Sequence, residues 1–278
     1  MSRLIIESGH AERQYWQDLW RYRELFYVLA WRDISVRYKQ TAVGVLWAVL
    51  QPLLMTLIFT VISEMANFGS ESVPQPLWIF AAMLSWQFFA ASLTASSQSM
   101  ITNANLVSKV YFPRMIVPAG AVVTAMVDFL ITFVIFLLMM AWFHVAPTWR
   151  FIAVPPLMLL AFMAALGPGL LITALNVKYR DFRYIIPFII QIGIYVSPVM
   201  YSSTVIQQHI AQKFPQLAWL YWLNPMVGVI DGFRWALLDG KGGITVPSFA
   251  LSVAVTALFV FVGVWYFRKT ERTFADII

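Results

Sequence analysis

The sequence predicts an all-α membrane protein: six transmembrane helices, an amphipathic helix at the membrane interface before the first, and short re-entrant helices on the outer face. Three observations carry this. Hydrophobic residues make up 60% of the 278 and charged residues only 12%, about half the charge fraction of an ordinary soluble domain, and the mean hydropathy is +0.73. Six apolar runs approach the ~20 residues that a helix needs to cross a bilayer. What remains is a polar N-terminal stretch of roughly forty residues, brief loops and a tail, too little for an appended soluble domain.

Taken in order, residues 1–42 are an N-terminal stretch, 43–267 a six-span domain and 268–278 a tail. Met1 to Gln40 is charged and lacks the apolar core of a cleaved signal peptide, so the first span is expected to act as the insertion signal. The spans fall at about Val43–Ile62, Leu77–Met100, Met115–Phe143, Phe151–Leu175, Tyr184–Met200 and Pro247–Phe267. An even number puts both termini on one side, and fifteen of the nineteen basic residues share that side. They include Arg21, Arg32 and Lys39 before span one, Lys109 and Arg114 after span two, Lys178, Arg180 and Arg183 after span four, and Arg268, Lys269 and Arg272 at the end. The positive-inside rule makes that side cytoplasmic. It also turns the net charge of +6 into a statement about orientation rather than a sign of nucleic-acid binding.

Three segments are more than loops. On a 100° helical wheel Trp16, Trp20, Tyr27, Trp31, Ile34 and Tyr38 share one face, with Arg21, Arg32 and Lys39 away from it. That is an interfacial helix with an aromatic stripe at headgroup level, which anchors to lipid and could also brace a cytoplasmic partner. The connection Ile101–Arg114 predicts about two turns of helix, capped by Asn103 or Asn105 and ended by Pro113. It exposes Leu106, Val110, Tyr111 and Phe112, which need a cover of lipid or of a partner protein. On the outer face, Val205–Phe214 and Gln216–Leu223 read as a short amphipathic piece. Pro225–Leu238 follows, about 21 Å of helix and too short to cross. Asn224 is placed to cap it with Pro225 at its first position, and Asp231 and Arg234 can pair at i,i+3. Re-entrant backbone is tolerated where it is buried in protein or lines a watery cavity, which marks residues 202–243 as a pathway or its gate.

Reacting groups are sparse. With no cysteine there is no disulfide or thiolate site, and His10, His144 and His209 show no ligand spacing, so no metal site is expected. No GxSxG elbow and no P-loop occurs; Gly240-Lys241 is followed by Gly242 and faces outward. Asp128 is the one acid near the middle of a span. It serves either as a relay or substrate contact or as a structural hydrogen-bonding group to another helix, within the chain or across a subunit boundary. No other span offers titratable groups for a relay, which favours the structural role. Aromatic residues gather near the suspected pathway: Trp86, Phe88 and Phe89 in span two, Tyr195 and Tyr201 at the end of span five, and Trp219, Tyr221 and Trp222 beside the gate. Each reads singly as core or belt, and together they suit sugar C–H faces. Gly167-Pro168-Gly169 predicts a kink or a close helix approach in span four.

Several of these stretches resemble the membrane subunits of ABC-2-type polysaccharide exporters, in order from about residue 20 to the end. They are Trp31–Pro52, Asn103–Arg114, Asn176–Tyr184, Ser197–Tyr201, Asn224–Trp235 and the tail Glu271–Asp276. The likeness is stronger to the O-antigen (Wzm-type) branch than to the capsule and teichoic-acid branches. It implies a homodimeric permease in a bacterial inner membrane, with no ATPase site of its own, assembled with two copies of a separate ATP-binding subunit that holds ATP and Mg. The resemblance makes Asn105, Leu106, Lys109, Val110, Tyr111, Phe112, Pro113 and Arg114 part of a coupling helix at about 103–113 that docks on that subunit. It makes Trp20–Tyr38, with Tyr27, Trp31 and Arg32, an interface helix, and Val205–Leu238 periplasmic gate helices. The implied cargo is a glycan on an undecaprenyl diphosphate carrier. One departure is Ser63-Glu64-Met65-Ala66, which sets an acid at the outer end of span one. Rival readings are an ion-coupled flippase, which would need several titratable groups in the spans, and a membrane-embedded enzyme, which would need converging acids or histidines.

Overall fold

The computed structural model describes residues 11–39, 42–66, 73–179, 181–213, 216 and 218–274. Met1, His10, Gln40, Arg180, Phe214 and Asp276, named above, lie outside them. Among the described residues the structure is helical: α1 (Ala11–Arg21), α2 (Arg23–Lys39), α3 (Ala42–Met65), α4 (Gln75–Thr102), α5 (Ala104–Lys109), α6 (Ile116–Trp142), α7 (Val154–Lys178), α8 (Phe182–Val196), α9 (Ser203–Lys213), α10 (Ala218–Trp222), α11 (Pro225–Leu237) and α12 (Val246–Thr270). Single 3₁₀ turns occupy Trp149–Ala153 and Glu271–Thr273.

Four stretches are long and apolar enough to cross a membrane: Gln75–Thr102, Ile116–Trp142, Trp149–Lys178 and Val246–Thr273. The apolar part of α3, Val49–Met65, and α8, Phe182–Val196, are shorter. Span five was expected to reach Met200, but α8 ends at Val196 because Pro198 follows Ser197, and the residue before a proline is pushed to extended backbone, here ψ 149°. The expected interface helix is likewise two helices, with a turn at Tyr22 across which Tyr22 N–H still bonds Asp18 C=O and Phe26 N–H bonds Tyr22 C=O.

α4 is the axis of the bundle. Its first half, Leu77 to Leu84, is buried on every side and packs with residues of α6, α7 and α11 in the larger apolar cluster. A helix apolar all round belongs in the centre. α7 bridges α4 to α12. Thr173 donates to Ser96 C=O at 2.8 Å and Asn176 to Ser97 C=O at 2.9 Å, contacts worth about 0.6 kcal/mol each in a membrane. On its other face, a Cβ on Gly167 would come within 2.7 Å of the α12 backbone, and one on Gly263 within 2.1 Å of the Gly167 carbonyl. The Gly-Pro-Gly stretch thus lets two backbones touch, while α7 continues through Pro168.

The connections collect at two ends. At one, which we name the α5 end, a smaller cluster joins Leu29, Met100, Val107, Phe112, Met115, Val177, Phe267 and Phe274. At the other, the α11 end, Ser63 of α3 donates to Met200 C=O at 3.0 Å, and Arg150 bonds Asp239 at 2.9 Å. The four long apolar helices α4, α6, α7 and α12 each have residues in both clusters or packed against them.

Candidate functional site

The surfaces, and the links between helices, differ at the two ends. At the α5 end α4 stops at Thr102, and α5 follows as six residues. Asn103 sits at the α5 N-cap position, yet its side chain makes no cap bond. Its amide donates back to Ser99 C=O at 2.9 Å, and its oxygen accepts from Arg32 of α2 at 2.6 Å. The expected cap is therefore replaced by a strut between the interface helix and α5. Pro113 is not the terminator either: α5 ends at Lys109, and Val110 is already extended, at φ −123° and ψ 134°.

The exposed ledge beyond α5 is narrower than expected. Tyr111 is 73% exposed and Val110 47%; Asn105 and Lys109 are exposed, and Leu106 and Arg114 are partly covered. Phe112, expected at the surface, is 4% exposed and packs in the cluster with Met115, Phe267 and Phe274. Burying an aromatic side chain in an apolar cluster is favourable by roughly 1.5–3 kcal/mol, and here side chains of the same chain, rather than lipid or a partner, supply the cover. Pro113 is buried beside Phe112.

Trp16, Trp20, Tyr27 and Trp31 form an exposed face of α1 and α2, while Tyr15, Leu19, Tyr22, Leu25, Phe26 and Leu29 pack inward on the α5-end cluster. Arg32 is exposed apart from its bonds to Asp33 and Asn103, and Tyr38 is half-buried. Asp128 of α6 is engaged by α2 of the same chain: Arg37 lies 2.6 Å from one carboxylate oxygen and the Tyr38 hydroxyl donates to the other. A charge at such depth is costly unless paired, and α2 supplies both partners. Arg37, Tyr15 and Glu271, where linkage concentrates, were not singled out as partners in the sequence. An Arg-Tyr pair just ahead of a span, able to reach an acid within an apolar helix, was the available signal for the first.

Around α11 itself the polar side chains are sealed in, although the Arg150–Asp239 pair at the same end is partly exposed. Asn224 caps α11, accepting from Met226 N–H at 3.0 Å, and its amide donates to Ser197 at 2.9 Å. Arg234 is fully buried. It donates to the carbonyls of Val199 at 2.8 Å, Tyr201 at 3.1 Å and Trp78 at 3.3 Å. Its guanidinium lies 4.3 Å from the centre of the Trp78 ring, and Asp231, also buried, stands 4.0 Å away. One side chain therefore ties α11 to the start of α4 and to the segment leaving α8. The aromatic residues divide. Tyr195 and Trp219 are exposed; Tyr201 and Tyr221 are buried together against Val227, with Trp222 edge-on to Tyr221 at 5.5 Å. Phe88 is core, edge-on to Phe129 at 5.9 Å, and Trp86 is buried between Phe89 and Gly193 of α8. Among the described residues no three His, Cys, Asp or Glu side chains come together as metal ligands.

Comparison with known proteins adds a family. A profile described as ABC-2 type transporter matches residues 24–238. The O-antigen export system permease protein RfbA of Myxococcus xanthus is 26% identical over 267 residues, 94% of this chain and 98% of that protein. A protein of the same name from Klebsiella pneumoniae is 26% identical over 257 residues, 92% and 95% of the two chains. The polysialic acid transport protein KpsM of Escherichia coli is 20% identical over 250 residues, 87% and 91%.

Proposed function

The chain belongs to the ABC-2 type transporter family, and from that premise we propose that it is the membrane subunit of an ATP-driven exporter of lipid-linked polysaccharide, of the O-antigen type. The relatives named for O-antigen export align along nearly their whole length, and the polysialic acid transporter aligns more distantly. In this reading α3, α4, α6, α7, α8 and α12 are six crossings in the inner membrane, both termini are cytoplasmic, and two copies pair around the glycan path. Two ATP-binding subunits supply the nucleotide site, with its ATP and Mg, for which this chain has no P-loop motif. The glycan arrives on an undecaprenyl diphosphate carrier.

The observation that carries the reading is the ledge at Val110 and Tyr111. A large apolar side chain presented to water beside Lys109, on a segment pinned through Asn103 to α2, is what a docking partner would cover. Binding of ATP would draw the partner subunits together, displace α5, and pass the motion to the crossings. At the α11 end, exposed Tyr195 and Trp219 are the aromatic residues placed to meet sugar, while Arg234 and Asp231 hold the gate helices in register. Asp128, engaged by Arg37 and Tyr38, serves as a structural link.

The test is purification of the tagged chain from its own host, together with deletion of its gene. We expect an ATP-binding subunit in equal stoichiometry and loss of the surface polysaccharide. No such subunit and an unchanged surface glycan would overturn the proposal.

A further inference from the structure

The tail Glu271–Phe274 has no role in the mechanism above, yet it is among the most tightly bound segments at the α5 end. Thr270 closes α12 by donating to the carbonyls of Tyr266 at 2.8 Å and Phe267 at 3.2 Å. The 3₁₀ turn that follows, in which Thr273 donates to Thr270 C=O at 2.8 Å, continues the helical path of α12. Phe274, seven residues on, meets Phe267 edge-on, with ring centres 5.3 Å apart, and both rings are buried. The same turn brings Glu271 to two other elements. Its carboxylate accepts from the Tyr15 hydroxyl of α1 at 2.9 Å, and its carbonyl accepts from the guanidinium of Arg114. Arg268, one turn earlier, lies 4.7 Å from the Tyr15 ring centre and 5.9 Å from that of Trp16.

The partners of this tail decide what it does. Arg114 and Phe112 belong to the segment leaving the Tyr111 ledge, and Phe112, Met115, Phe267 and Phe274 form one apolar cluster. The segment therefore touches the tail through both a polar and an apolar contact. Packed clusters of this kind move as units, because close-packed side chains have discrete arrangements rather than a continuum.

We propose that Glu271 and Phe274 form a hook that makes the exit of α5, the first helix α1 and the end of α12 one mechanical body, so that displacement of the ledge reaches α12. The proposal rests on the exporter reading above. Glu271 and Phe274 are positioning residues: they touch neither nucleotide nor glycan, and act through Phe112 and Arg114. Without the hook, the ledge would yield locally when pushed and ATP would be hydrolysed without export.

The decisive quantity is surface glycan exported per ATP hydrolysed, which does not depend on how much complex accumulates. Two variants, Phe274→Ala and Tyr15→Phe, are placed in the deletion host; the second keeps the ring beneath Arg268 and removes only the donor to Glu271. Surface glycan is quantified in cells, and ATP hydrolysis on all the complex copurified from the same number of cells. We expect Phe274→Ala to keep ATP hydrolysis within about two-fold of wild type while the ratio falls about five-fold or more, the lower edge of ordinary coupling energies. Tyr15→Phe should lower it about two-fold. If Phe274→Ala does not accumulate, Tyr15→Phe alone decides. An unchanged ratio, with export and hydrolysis falling in proportion, overturns the hook. Failure of the exporter reading shows separately, as a wild-type chain without an ATP-binding subunit and a deletion strain with its surface glycan intact.

Discussion

The two ends of the bundle solve the same problem, holding polar groups against an apolar interior, in opposite ways. At the α11 end Arg234 is wholly buried and takes its acceptors from backbone: three carbonyls, with an indole beneath and Asp231 beside it. Everything it needs lies within one chain. At the α5 end the links are side chain to side chain and partly exposed: Arg32 to Asn103, Arg37 to Asp128, Tyr15 to Glu271. The segment they support still presents Val110 and Tyr111 to solvent. A finished end is built for rigidity. An unfinished one leaves surface for a partner, and its more exposed links, Arg32 to Asn103 and Arg37 to Asp128, cost little to rearrange. Under the exporter proposal the difference gives structure to one set of charges and transmission to the other, and each substitution below is a way to break that division.

Arg234→Met should have the largest effect. It strips three carbonyls of their donor and leaves Asp231 buried without its cation, a loss of about 3–5 kcal/mol for a broken buried pair. The fraction of folded chain in detergent, followed by thermal unfolding, should collapse. Adding Asp231→Asn should recover part of the loss, about 1–3 kcal/mol, since only the unsatisfied carbonyls remain. A single variant as stable as wild type would show that the α11 end is not sealed as described.

Phe112→Ala comes next. If the α5 end were all docking surface, the change would weaken partner binding and spare the fold. Because Phe112 lies in the Met115–Phe267–Phe274 cluster, we expect about 3–5 kcal/mol of lost stability, the usual cost of emptying a buried aromatic site, read from unfolding of the isolated chain. An unaltered melting curve would return Phe112 to the surface.

Much of this architecture is legible in the sequence, for a physical reason. Long apolar runs have few alternatives, so α4, α6, α7 and α12 lie within a few residues of the predicted spans, and Asn224-Pro225 starts α11 because capping and a fixed proline φ are local effects. What is not local is lost. Six residues of α5 carry no period that says which side of Phe112 is covered. Asn103 has capping chemistry, but its oxygen goes to Arg32, 71 residues away in sequence. The tail motif reads as four polar or aromatic residues; only the 3₁₀ turn, by setting Phe274 on Phe267, reveals it as core. Asp128 is recognisable as an acid within an apolar run, in need of partners, whereas the fact that α2 of the same chain supplies them depends on how α2 lies along α6.

Asp128→Asn is therefore a milder perturbation. The amide keeps an acceptor for Tyr38 and loses the charge facing Arg37, whose side chain is 47% exposed, so solvent can take up that guanidinium. A cost of about 1 kcal/mol or less is expected, as for other partly exposed pairs, with export close to wild type. Loss of export in a fully assembled complex would make the carboxylate itself functional and would revive the relay reading.

The smallest effect on the fold should accompany the most selective effect on function. Tyr111 is 73% exposed, so Tyr111→Glu should leave the unfolding curve of the isolated chain within about 0.5 kcal/mol of wild type, as for surface changes that touch no special feature. At an interface the same change sets a charge where an aromatic anchor was, and truncated anchors commonly cost 2 kcal/mol or more, roughly thirty-fold in affinity. Copurification of the ATP-binding subunit should then fail although the chain inserts and folds. Retained copurification with lost export would place Tyr111 in transmission rather than docking. Both retained would remove the ledge from the coupling surface altogether and leave the contrast between the two ends resting on Arg234 alone.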